Sequence, residues 1–242
     1  MNSRQADALG GRLADRLAKD DVVGAYGLLK PILEQRTLFR MLDRMAAAAG
    51  PCPWPQTITF LDQAAAAAHE GRWVIIGALL WQQYPGRPAA TISECRRYIM
   101  AADSWYGADI LGERVPGPAL VEDFVSAQDL LVSWRGDPNR WVRRALGVAV
   151  HFWAKRSRGD EALESQAQTL LDFLTPMFEE WEMDAVKGIG WALKTLGKHY
   201  PGQLTRWLVA QSGRSHRRLL LRKAMTYLPE WERRVISKAY SL

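Results

Sequence analysis

Apolar residues recur at helical spacing along nearly the whole of this 242-residue chain. The period-two alternation that marks a half-buried strand is missing. Gly and Pro interrupt the pattern at short intervals: Gly50-Pro51, Pro53, Pro55, Pro85-Gly86, Pro88, Pro116-Gly117-Pro118, Gly136-Asp137-Pro138, Pro201-Gly202 and Pro229. Between them lie segments of roughly 12 to 18 residues, an ordinary helix length. The spacing predicts helices over 4–19, 22–34, 38–49, 56–70, 72–83, 91–102, 104–111, 119–134, 140–155, 162–174, 183–199, 203–210, 216–228 and 230–239. Pro31 is expected to kink or end the second early. Asp137-Pro138-Asn139 reads as a turn followed by an N-cap, and Pro201 as a stop after 199. Short helices joined by tight turns pack as hairpins. The expected fold is therefore all-α, a HEAT-like repeat α-solenoid of antiparallel helix pairs forming one domain over 1–242. Trp141 and Trp191 lie near one such unit apart, about 40 residues, with an insertion. The concave face of such an array is its usual binding surface.

The charge pattern gives that face a sign. The formal net charge is +6, which points to a polyanionic partner. From Arg140 to Arg158 there are six basic residues and no acidic one; from Gly159 to Val186 eight acidic and no Lys or Arg. From Lys187 to Lys223 the chain is basic again without an acid: Lys187, Lys194, Lys198, Arg206, Arg214, Arg217, Arg218, Arg222 and Lys223. Alternate helices of an array face opposite surfaces, so the basic helices are expected to form one concave basic face suited to a phosphate backbone. The plainer alternative is a set of solvated helix faces. Against it stands the match between charge segregation and helix alternation.

Other features narrow the function class. Cys52 and Cys95 are the only cysteines, too few for a disulfide framework, and a reducing compartment fits. The N-terminal 20 residues carry no apolar core of a signal peptide. The most apolar stretch, 73–81, is too short to span a bilayer. A cytoplasmic protein with no membrane partner is expected. The four His show no metal spacing, and no Walker A, GxGxxG or GxSxG motif occurs. No metal and no cofactor is implied.

Three clusters carry chemistry. Trp105 and Asp109 are four residues apart, so on a helix the indole and the carboxylate share a face. An aromatic wall beside an anion suits a cationic, sugar-like transition state. The plainer readings are an exposed helix carboxylate and a core Trp. Gly190-Trp191 supplies a second indole beside a residue that lets a backbone or ligand approach closely. Asn139-Arg140-Trp141-Val142-Arg143-Arg144 offers guanidinium groups for phosphate. Arg143 and Arg144 diverge by about 100° on a helix. Arg144, three residues after Trp141, lies on that Trp's side and is the better phosphate ligand. Together these clusters read as a nucleic-acid base-excision site.

These residues resemble the AlkC/AlkD-type HEAT-like repeat DNA glycosylases, the AlkD branch in particular. The likeness runs from about residue 72 to 228. It is best at 104–109, at 139–145 and from Val186-Lys187-Gly188-Ile189-Gly190-Trp191 to His199-Tyr200-Pro201, and the segment Arg222–Leu228 looks like the family's closing helix. The resemblance implies Asp109 as the catalytic carboxylate, Trp105 and Trp191 as aromatic walls at the lesion's sugar, and Arg144 as a phosphate contact. Arg143, Lys187, Lys194, Arg214, Arg217, Arg218 and Arg222 are the further DNA-binding candidates. It also implies monofunctional hydrolysis of alkylated, cationic bases such as 3-methyladenine and 7-methylguanine from double-stranded DNA, without base flipping and without a cofactor; a monomer is expected because a curved binding array needs no partner. The chain departs from the family pattern in Tyr106-Gly107-Ala108, where a second acid commonly follows the Trp. Gly107 is expected to widen the pocket for a bulkier adduct. Two alternatives remain: a catalytically silent HEAT-like module for damaged or branched DNA, and a protein-binding scaffold.

Overall fold

The computed structural model describes residues 1–241, and among these every regular element is helical. The contacts divide the chain into two compact units, 1–115 and 116–242.

The first unit holds α1 (Ser3–Ala18), α2 (Val22–Leu33), α3 (Phe39–Ala49), α4 (Trp54–Ala65), α5 (Gly71–Gln83), α6 (Pro88–Ala102) and α7 (Trp105–Arg114). Odd-numbered helices pack on one another in the order α1, α3, α5, α7, and α2, α4, α6 form a second layer. Asp7 pairs with Arg44 at 2.6 Å, and Gly10 lies against the Met45–Ala49 backbone. Contacts rise together along both helices, so α1 and α3 run parallel and the intervening α2 returns the chain. The same register holds for α5 and α7, with Trp73 beside Gly107 and Gly77 beside Leu111 and Arg114. This is the two-layer helix-pair repeat that the periodicity calls for. The apolar run Trp73–Leu80 is buried on all sides of α5 between its neighbours.

The second unit holds α8 (Pro116–Glu122), α9 (Phe124–Leu131), α10 (Arg140–Ser157), α11 (Glu164–Leu174), α12 (Met183–His199), α13 (Pro201–Ala210), α14 (Arg218–Ala224) and α15 (Glu230–Ala239). One layer runs α8, α10, α12, α14, and the other α11, α13, α15. A Cβ added at Gly147 would meet the Gly188 carbonyl carbon at 2.4 Å, and one at Gly188 would meet the Arg144 carbonyl oxygen at 2.5 Å. The α10 and α12 backbones therefore touch, which only residues without a side chain permit.

Several boundaries differ from expectation for local reasons. The helix expected over 119–134 is broken at Asp123, whose ψ of 64° is not helical and whose carboxylate accepts the Ser126 hydroxyl at 2.8 Å. Pro31 ends nothing: α2 continues through it to Leu33. Pro201 opens α13 at a position where its missing N–H costs no hydrogen bond, while Tyr200 at φ −134° makes the break. The helix expected over 216–228 shrinks to α14 and a 3₁₀ turn, Met225–Tyr227.

The helix crossing is testable by one substitution made in two places. Gly147→Ala is expected to lose about 2–3 kcal/mol, because α10 and α12 must separate. Gly11→Ala, in α1 with nothing within 4 Å of its added Cβ, is expected to gain about 0.5–1 kcal/mol. Urea unfolding midpoints at constant slope measure both.

Candidate functional site

In the first unit the site is built at the start of α7. Asp103 closes α6 in the left-handed region (φ 38°), Ser104 is extended, and its hydroxyl accepts the Gly107 N–H at 3.2 Å. This cap sets the first turn of α7. Ala108, Ile110 and Leu111 are buried and fix the rotation of the helix. The face that remains carries Trp105, 57% exposed, with the half-buried Asp109 one turn on. The Trp105 indole stands edge-on against Tyr106 at 5.6 Å. Tyr106 in turn meets Phe39 edge-on at 6.3 Å and walls an open cavity of about 700 Å³ with Leu38, Phe39, His69 and Glu70.

The structure corrects the expectation for Gly107. Its added Cβ would lie 2.4 Å from the Ala102 Cβ and 3.5 Å from the Trp73 indole nitrogen. Gly107 is buried and faces the core, not the Trp105–Asp109 edge. Its missing side chain lets α7 close on the end of α6, and it does not widen a pocket beside Asp109.

The second unit carries its own candidate cluster along the α10–α12 contact. Arg144, Gly147 and His151 form one stripe of α10, and Gly188, Trp191 and Thr195 the facing stripe of α12. Arg144 is 8% exposed, and its Nη1 donates to the Asp184 carbonyl at 3.3 Å. Trp191 is half-buried, with the His151 ring stacked on it at 3.9 Å and 22°. Gly190 receives the stem of Lys223 from α14: its added Cβ would lie 2.6 Å from the Lys223 Cδ. The close approach expected at Gly190 is thus made by a lysine of the protein itself.

That lysine reveals the electrostatics. Burial first, and then the charges of Lys194, Arg144, Arg222 and Lys187, hold the Lys223 ammonium below its ordinary pKa. Five cations on α10, α12 and α14 thus share one neighbourhood, and such a cluster gains by binding an anion. Along α12, Lys187 and Lys194 lie one turn before and after Trp191. Lys194 and Lys198 stand over the exposed Tyr227 ring at 4.8 and 5.7 Å.

Other expected DNA ligands are engaged inside the fold. The Arg143 guanidinium pairs with Glu180 at 2.5 and 3.3 Å and donates to the Asp137 carbonyl at 2.5 Å. Arg214 is held by Glu179 at 3.3 Å and Gln211 at 2.5 Å. Arg217 lies over Trp181 at 4.4 Å and donates to its carbonyl at 3.2 Å. Arg218 and Arg222 are exposed on α14. The acidic segment is not confined to the opposite layer: Glu179, Glu180 and Asp184 turn back onto Arg214, Arg143, Arg140 and Lys187. Lys223 and His151 were missing from the expected set. Lys223 closes the acid-free basic run, and His151 falls seven residues after Arg144 and four after Gly147, which is one helix face. Among the described residues no group of His, Cys, Asp and Glu could hold a metal ion, and no helix is long and apolar enough to cross a membrane.

Burial, then the charges of Lys155 and Lys194, lower the His151 pKa from 6.5 to about 4. A His that is neutral when folded and takes up a proton when unfolded stabilises the fold fully above the unfolded value. That stability is lost as pH falls from about 6.5 towards 4. Wild type is expected to lose about 2–3 kcal/mol more than His151→Phe across this window, measured by urea unfolding at each pH.

The chain matches the family described as DNA alkylation repair enzyme over residues 57–228. That stretch contains Trp105, Asp109, Arg144, Trp191 and Lys223. Neither a comparison with curated proteins nor one with solved structures finds a match. The family match covers well over half of the chain, so this chain belongs to the DNA alkylation repair enzyme family.

Proposed function

We propose that the protein is a monofunctional DNA glycosylase that hydrolyses the N-glycosidic bond of alkylated, cationic purines in double-stranded DNA. Its expected lesions are 3-methyladenine, 7-methylguanine and bulkier N3 or N7 adducts. The observation that carries the reading is the open Trp105 indole one turn from Asp109 on a firmly capped helix. A stable core has no need of a large aromatic face turned outward beside a carboxylate, whereas a site for a transient cation does.

The chemistry follows from the substrate. An N-alkylated purine carries positive charge and leaves as a neutral base, so no general acid is needed. As the C1′–N bond breaks, positive charge grows on the deoxyribose. The Asp109 carboxylate and the faces of Trp105 and Trp191 stabilise that charge more in the transition state than in the ground state. Water adds at C1′ and loses its proton, with Asp109 in position to orient it. The products are the free base and an abasic site. Arg144, Lys187, Lys194, Arg222 and Lys223 hold the phosphates, and Arg218 extends the basic surface. Arg143, Arg214 and Arg217 support this surface through their own contacts. The base remains stacked, because the reaction acts on the sugar and needs no base pocket. The protein acts as a monomer in the cytoplasm, without a cofactor.

Base release from methylated duplex DNA under single-turnover conditions tests the reading. Asp109→Asn is expected to slow release at least about tenfold, equivalent to about 1.4 kcal/mol of transition-state stabilisation. Wild-type release that the substitution leaves unchanged would remove Asp109 from the mechanism. No release, with tight salt-sensitive binding, would favour a silent DNA-binding module. Binding itself is expected to weaken with salt at a log–log slope of about −4.5, from five phosphate contacts. Lys223→Ala is expected to reduce that slope by about 1.

A further inference from the structure

His151 lies outside the chemistry just described, yet it makes the most specific contacts around Trp191. Its ring stacks on the indole at 3.9 Å and 22°. Its Nδ1 is 2.7 Å from the Thr195 hydroxyl, and that hydroxyl donates to the Trp191 carbonyl at 3.0 Å. With the hydroxyl proton given to the Trp191 carbonyl, the Thr195 oxygen accepts from a protonated Nδ1. The contact ties α10 to α12 across Trp191. His151 is only 7% exposed.

We infer that His151 is a positioning residue for Trp191: as a neutral ring it backs one face of the indole, holds its orientation through Thr195, and leaves the indole's electron density available to a cation. The inference rests on the reading of Trp191 as a wall of the reaction site. An aromatic ring stabilises a cation through the negative potential of its face. A neutral imidazole on the back face leaves that potential intact, whereas an imidazolium there draws it away. The surroundings keep the proton off. Lys155 lies one turn on along α10, and Lys194 faces from α12; both act on the ring as like charges, and burial adds to them. α8, which packs on α10, carries Glu122 as its one ionisable side chain, at its exposed end. A histidine that served only to fill space would need neither the stacked alignment on the indole nor the hydrogen bond to Thr195.

The test uses the full chain and duplex DNA carrying 7-methylguanine, with single-turnover base release followed from about pH 5 to pH 8. Trp191→Ala is expected to slow release about tenfold; an unchanged rate overturns the role of Trp191 and this inference with it. With Trp191 established, His151→Ala is expected to slow release about tenfold while DNA affinity changes less than about twofold, and His151→Phe, which keeps a flat ring, to recover most of the rate. A His151→Ala rate equal to wild type overturns the inference alone. Lys155→Glu places an anion beside the ring and is expected to create an acid limb, with release falling several-fold between about pH 7 and pH 5. Adding His151→Phe should abolish that limb; a limb that persists in the double variant overturns the inference. A readout independent of turnover is the fluorescence contributed by Trp191, taken as the difference from Trp191→Phe. In Lys155→Glu it should be quenched on acidification over the same range and remain flat in the double variant. Absence of that quenching overturns the inference whether or not base is released.

Discussion

The second unit depends on the backbone contact between Gly147 and Gly188. A side chain at either position would strike the opposing main chain. With both absent, α10 and α12 approach until each residue of one stripe meets a defined residue of the other. Arg144 then reaches the Asp184 carbonyl, and His151 reaches both the Trp191 ring and the Thr195 hydroxyl. The same device recurs at Gly190, where the stem of Lys223 takes the vacant space. Dense packing transmits such constraints, because interiors have little room to absorb a shift.

This geometry separates cations paired with glutamates from cations gathered in one cluster. Arg143 and Arg144 are neighbours in sequence but point to different sides of α10. Arg143 meets Glu180 in a largely buried ion pair, with side-chain exposures of 13% and 10%. Truncating one partner of such a pair is costly because the other charge stays buried. Arg144 instead joins Lys187, Lys194 and Arg222 around Lys223, whose ammonium is held below its ordinary pKa first by burial and then by their charges. A fold accepts such repulsion where an anionic partner relieves it, and DNA supplies a phosphate at every nucleotide.

Much of the helix layout is legible in the sequence. The bounds 183–199 and 230–239 agree with α12 and α15, and Asn139 caps α10 as the turn before it implies. Failures came where one side chain overrode the pattern. Asp123, whose ψ of 64° is not helical, splits an otherwise continuous helical stretch. Gly107 looked like an enlargement of the site because only its neighbours in sequence were visible; in space its neighbour is Ala102. Gly147 and Gly188 left no periodic signal, since a residue without a side chain contributes nothing to an apolar stripe.

The sequence by itself determined the elements and the pairings within one helix. Repeat spacing and caps set the helices, and four residues bring Trp105 and Asp109 to one face whatever surrounds them. Family membership rests on the same local patterns. Only the tertiary structure decided which arginines are spent on Glu179 and Glu180, which cations gather around Lys223, and which ring backs Trp191. The reason is distance along the chain: His151 and Thr195 are 44 residues apart. Their contact follows from how closely two helices can approach, which packing decides and local spacing does not encode.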